Sequence, residues 1–118
     1  MTLKLLPDEA LELVATRFRV LGEPVRLKLL QLVCEGEMSV TKLVEASDAG
    51  QANVSKHLGI LLGAGLVARR KEGLNVFYRI ADESVIELCE IVCRSLGVRF
   101  AAQHKVIKQA TSIKRKQT

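Results

Sequence analysis

The chain has 118 residues, 48% of them hydrophobic, and a net charge of +5; that suits one domain with a modest core, of a size often helped by oligomerisation. No apolar run approaches the roughly 20 residues that span a bilayer, and the start, Met1 to Leu13, carries Asp8, Glu9 and Glu12, which makes a poor secretion signal. A cytoplasmic address without membrane attachment is the expectation, and three cysteines, Cys34, Cys89 and Cys93, with no CxxC spacing, argue against a disulfide framework.

The positive charge is unevenly placed. Residues 98–118 hold Arg99, Lys105, Lys108, Lys114, Arg115 and Lys116 and no acid, six positive charges against a total of +5, so residues 1–97 carry −1. The division is a folded domain over 1–97 and a basic C-terminal tail over 98–118. The high isoelectric point belongs to the tail and does not by itself define a nucleic-acid-binding domain.

In chain order, residues 8–21 predict a helix, with Leu11, Val14, Ala15, Phe18 and Leu21 as its apolar stripe. Gly22 stops it. Pro24 suits the first turn of a second helix, where its missing N–H is not needed; this helix runs to about Glu35 with Val25, Leu29, Leu32 and Val33 inward. Ser39 caps a short third helix, Val40 to Ala46. Ser47 to Gly50 form a turn, and a fourth helix covers about Gln51 to Ala64, closing on Gly65. Leu66 to Lys71 and Val76 to Ile80 are β-like stretches joined by a short glycine-containing connection, a β-hairpin. Asp82 is placed to cap a last helix, roughly Glu83 to Leu96. The fold class is mainly α with a two-stranded hairpin.

The fourth helix has two faces. Val54, His57, Leu58, Leu61 and Leu62 share one and belong in the core, where His57 reads as a packed histidine rather than a ligand. The other face presents Gln51, Ala52, Ser55, Lys56 and Gly59, with Asn53 beside them in the first turn. Such side chains fit the major groove of DNA. Glutamine reads adenine, lysine reaches guanine acceptors, and serine or asparagine binds a phosphate or a base edge. Gly59 and Gly63 each cost about 1 kcal/mol of helix propensity against alanine, which close approach of a groove or a neighbouring helix would explain. The hairpin that follows carries Arg69, Arg70, Lys71 and Arg79 against one acid, Glu72. Beside a recognition helix it would lie as a basic wing along the phosphate backbone and bind in a salt-dependent way.

Here the sequence resembles the ArsR/SmtB family of bacterial repressors. Phe18 to Leu27 is similar to the family's opening motif, Gln51 to Leu58 to its recognition helix, and Ala64 to Val67 followed by Arg69 to Tyr78 to its wing. The likeness covers about residues 10–97. It implies a winged helix-turn-helix homodimer, joined through the first and last helices, that represses from a pseudo-palindromic double-stranded operator and leaves when an inducer binds. Two ligand sets of the family are missing. The third helix has no thiol for a Cys-x-Cys metalloid site, and of the Asp/His zinc set on the last helix only Asp82 survives, with Ser84, Ser95 and Val98 elsewhere.

Cys89 and Cys93 are one helical turn apart. Two thiols so placed suit a soft ion such as As(III) or Sb(III), with a third ligand from elsewhere, or reaction with oxidants and reactive sulfur. They also fall in the apolar stripe Val85, Leu88, Cys89, Val92, Cys93 and Leu96, where cysteine serves as a small buried hydrophobe. Thiol-sensing relatives, by the resemblance, place cysteines at positions 31 and 97. Cys34 lies three residues after the first and Cys93 four before the second, shifts that compensate if the two helices pack antiparallel. The competing readings are a DNA-binding regulator without any sensor and a winged-helix interaction module that binds no DNA. With all three cysteines expected in the interior and no catalytic set visible, an enzyme is not expected.

Overall fold

The computed structural model describes residues 5–97. The basic tail at 98–118 lies outside the described residues. Residues up to Glu83 form one unit, and those from Ser84 a second.

In the first unit, α1 spans Asp8–Leu21, α2 Pro24–Val33, β1 Met38–Ser39, α3 Val40–Ser47, α4 Gln51–Gly63, β2 Val67–Glu72 and β3 Asn75–Ile80. Local chemistry sets the ends. Asp8 and Glu9 sit in the first turn of α1, where the helix dipole favours negative charge. Glu23 caps α2 by accepting from Val25 N at 3.0 Å, with Pro24 in the first turn as expected. Ser39 Oγ accepts from Lys42 N at 3.2 Å and so starts α3. The end of α4 is a Schellman motif: Leu66 N donates to Leu61 O and Gly65 N to Leu62 O, both at 3.0 Å. That geometry needs the left-handed φ of +76° that Gly65 supplies.

The core is built where α2, α3 and α4 meet the hairpin. Leu29, Leu30, Val33, Leu43, Val54, Leu58, Leu61, Leu66 and Val67 are all buried, each stabilising the fold by about 1.5–3 kcal/mol relative to exposure. The inward face of α2 differs slightly from expectation. Leu30 is buried where Leu32 is only half-buried, and α2 ends at Val33, leaving Cys34 as its C-cap.

The sheet has three strands in the order β1-β3-β2, all antiparallel. Glu72 pairs with Asn75, so only Gly73 and Leu74 make the hairpin loop. Gly73 has a φ of +61° at the first central position, as a type II′ turn demands. The third strand was not foreseen. Met38 and Ser39 pair with Tyr78 and Phe77, and this ties the segment between α2 and α3 to the root of the wing.

The second unit contributes α5, residues 84–97. Together the described residues form five helices and a three-stranded sheet.

Candidate nucleic-acid interface

The helix-turn-helix is α3, the turn Asp48 to Gly50, and α4. Asp48 ends α3 in the left-handed conformation, with φ 57°. On α4 the division expected from the sequence holds. Val54, His57, Leu58 and Leu61 are buried, and Gln51, Ala52, Asn53, Ser55 and Lys56 are exposed. A Cβ added at Gly59 or Gly63 would meet nothing within 4 Å. No neighbour in the chain therefore calls for either glycine; on Gly59 the result is a slim, open stretch of α4.

The buried face is held by a polar clamp. His57 is only 5% exposed, and its Nδ1 lies 3.0 Å from Arg26 Nη1. Arginine can only donate, so Nδ1 accepts and the proton of the neutral ring sits on Nε2. The same guanidinium donates to Val20 O at 2.6 Å and Arg19 O at 3.3 Å. The end of α1 and the middle of α4 are thus fixed to one side chain of α2. His57 is a structural histidine, as its place on the apolar stripe predicted.

The wing's four cations are not equivalent. Pairing alternates their faces: Arg69 stands opposite Tyr78, Arg70 opposite Phe77 and Lys71 opposite Val76. Arg70 packs over the Phe77 ring at 4.5 Å and donates through Nε to both Glu37 oxygens at 2.9 Å. It also pairs with Glu72. Arg79 Nη1 lies 4.0 Å from Glu37 Oε2. The hydrogen bond from Arg70 holds the Glu37 carboxyl below its ordinary pKa, and its two acidic neighbours raise that of Arg70. Two cations of the wing are thereby matched by two carboxylates. Arg69 and Lys71, on the alternate face, form no ion pair among the described residues. Nothing in the local sequence marks Glu37 as this partner, because the contact spans 33 positions.

Between the start of α3, the outer face of α4 and the wing lies a cleft of about 480 Å³, with Thr41, Gln51, Ser55, Arg69 and Tyr78 among its walls. Its lining includes no carboxylate.

The cysteines depart from expectation. Cys34 and Cys93 are exposed and Cys89 is half-buried. Cys34 lies past the last turn of α2, its thiol donating to Gln31 O at 3.0 Å. The stripe on α5 is buried only at its start. Val85 is covered, whereas Val92 is 46% and Leu96 50% exposed. Asp82 accepts from Arg17 of α1 at 3.3 Å. Among the described residues no cluster of three His, Cys, Asp or Glu side chains could hold a metal ion, and no helix is long and apolar enough to cross a membrane.

A trihelical core that presents a slim polar helix beside a basic hairpin defines a winged helix-turn-helix protein. Residues 23–69 match the model of the family described as "Bacterial regulatory protein, arsR family". An HTH-type transcriptional regulator of Methanocaldococcus jannaschii is 41% identical over 85 residues, 71% of this chain and 96% of that protein. The "Probable mercury resistance operon repressor" of Streptomyces lividans is 38% identical over 85 residues, 72% of this chain and 67% of the relative. The homodimeric winged helix-turn-helix DNA-binding domain from Mycobacterium bovis, solved by NMR, superposes with a TM-score of 0.65 at 34% identity, over 72% of this chain and 79% of that one. The chain belongs to the arsR family of bacterial regulatory proteins. It is a DNA-binding transcriptional repressor of that family and not an enzyme.

Proposed function

We propose that the chain works as a homodimer on a two-half-site operator, with α4 in the major groove and the wing on the adjoining backbone, and that it is released when Cys89 and Cys93 engage a thiophilic inducer. The observation that carries the DNA part is the outer face of α4. Gln51, Ala52, Asn53, Ser55 and Lys56 are exposed, and Gln51 and Ser55 share a cleft wall with Arg69 of the wing. Lys56 and Gln51 read base edges; Arg69, Lys71 and, once withdrawn from Glu37, Arg70 and Arg79 meet phosphates. Lys56→Ala should weaken operator binding by about 1–3 kcal/mol and relax preference at one base position. Fluorescence anisotropy on operators varied base by base checks this, and an unchanged preference would move the reading surface elsewhere.

Support for the dimer comes from apolar surface that is exposed among the described residues. Leu11 and Phe18 on α1 are 43% and 54% exposed, and Ile91, Val92 and Leu96 on α5 are exposed too. Surfaces of that kind mark association, and the Mycobacterium bovis domain is homodimeric. Support for the sensor is narrower. Two thiols one helical turn apart, one exposed and one half-buried, are reachable by a soft ion. Titration of the reduced protein on DNA from its own upstream region with As(III), Sb(III) or a persulfide donor should release the DNA. Cys89→Ser or Cys93→Ser should abolish that release. Tight binding that none of these reagents disturbs favours the second reading, a regulator without a small-molecule sensor.

A further inference from the structure

Tyr78 packs deep in the domain, 6% exposed, at the centre of the sheet. Its hydroxyl makes no hydrogen bond among the described residues. A buried tyrosine hydroxyl ordinarily has a partner, and phenylalanine would pack here as well without one. The hydroxyl is also not sealed in. The one buried side-chain oxygen lacking a partner among the described residues is Glu23 Oε2, so Tyr78 Oη reaches solvent, and Tyr78 lines the cleft between α3, α4 and the wing.

Arg69 lies directly across the ladder from Tyr78 and shares its face. Among the described residues it has no carboxylate partner, in contrast to Arg70 and Arg79. Thr41 and Ser55 add hydroxyls to the same walls, and no acid enters the lining. One cation, several neutral donors and no negative charge describe a seat for a single anion.

We propose that this cleft seats one backbone phosphate of the operator, held by the Arg69 guanidinium and the Tyr78 hydroxyl. The inference rests on the DNA-binding reading and adds a residue to it. DNA is favoured over a small anion because Gln51 and Ser55 belong both to the cleft wall and to the outer face of α4. A helix seated in a groove about 12 Å wide has a phosphate strand along each rim, and the strand on the wing side must cross this opening. The two contacts differ in kind. Arg69 supplies charge, and Tyr78 supplies a directed, uncharged hydrogen bond that fixes the helix at one depth and register.

The test uses the full chain and operator duplexes carrying one neutral methylphosphonate at each backbone position in turn. The wild type should lose about 10-fold in affinity at one position per half-site, the worth of one good hydrogen bond to a charged group. Tyr78→Phe should melt like the wild type, bind the unmodified operator about 10-fold more weakly, and lose clearly less than the wild type at that same position, where only the Arg69 contact remains. Its salt slope should stay unchanged, whereas Arg69→Ala should make the slope shallower by about one. Wild-type affinity in Tyr78→Phe, or a methylphosphonate penalty that simply adds to its defect, overturns the seat while leaving DNA binding intact. Tyr78-dependent stabilisation by inorganic phosphate, with no position sensitive to methylphosphonate, makes the cleft a small-anion site and also overturns the proposal. A wild type that binds no duplex removes the DNA reading and the seat together.

Discussion

Arg26→Ala is expected to lower the stability of the chain by about 2–3 kcal/mol, the cost of leaving a buried acceptor unpaired plus the lost charge-assisted bonds. The guanidinium makes three hydrogen bonds to two other elements: 2.6 Å to Val20 O, 3.3 Å to Arg19 O and 3.0 Å to His57 Nδ1. The two carbonyls belong to the last turn of α1, and Arg19 O also accepts from the C-cap Gly22 N at 3.2 Å. Water can reach those after the substitution. It cannot easily reach His57, which sits among Val54, Leu58 and Leu61 on the buried face of α4. For a domain of this size the loss corresponds to a fall in Tm of roughly 10–20 °C. Protein concentration must be held fixed, because melting of a dimer depends on it. Lysine at position 26 should recover only part of the loss, since one ammonium cannot match the planar fork. Thermal melts followed by circular dichroism give the answer. A Tm within a few degrees of the wild type would show that the clamp is replaceable and that α1 is held by its apolar contacts alone.

The clamp also marks where sequence reasoning reaches its limit. The stripe through Val54, His57, Leu58 and Leu61 was enough to place His57 inside, because burial on a helix repeats every three to four residues. What satisfies its ring nitrogen was not legible, since Arg26 lies 31 positions away. The same division recurs at the wing. Strand alternation and the turn at Gly73 show in the sequence as a hairpin rich in arginine. That Arg70 and Arg79 face Glu37, while Arg69 faces the cleft, depends on the pairing of Met38 and Ser39 with β3. Two residues are too short a strand to carry a period. The cysteines show a different failure. An apolar stripe does not say what covers it, and on α5 Val92, Cys93 and Leu96 are open to solvent among the described residues.

The charge pattern gives the wing two roles at once. Glu37, Arg70, Glu72 and Arg79 bind the hairpin to the segment entering α3, and while Arg70 and Arg79 stay paired they add little to the field that attracts DNA. Among the described residues of α4 and the wing, that field comes from Lys56, Arg69 and Lys71. Isolated surface ion pairs contribute little to stability, so the network matters mainly for where the wing points.

Phe18→Glu is expected to have the largest effect on DNA binding, although Phe18 lies far along the sequence from α4. Phe18 is 54% exposed, and with Leu11 and Ala15 it forms the part of the α1 stripe that is exposed among the described residues. A carboxylate there costs an isolated chain little, because surface substitutions away from special features stay within about 0.5 kcal/mol. In a dimer whose two α1 helices share the interface, it buries an unpaired charge in each copy, and that is strongly destabilising. Sedimentation should then report a folded monomer. Operator affinity should fall by about 100-fold or more, because two linked half-site contacts become two independent ones. The salt slope should roughly halve, since each monomer displaces about half the counterions of the pair. Affinity for a duplex with a single half-site should change little, which separates lost linkage from a damaged recognition helix. If Phe18→Glu remains a dimer with wild-type affinity, the exposed stripe of α1 is not the face that joins the two copies, and the apolar surface of α5 must carry that contact alone.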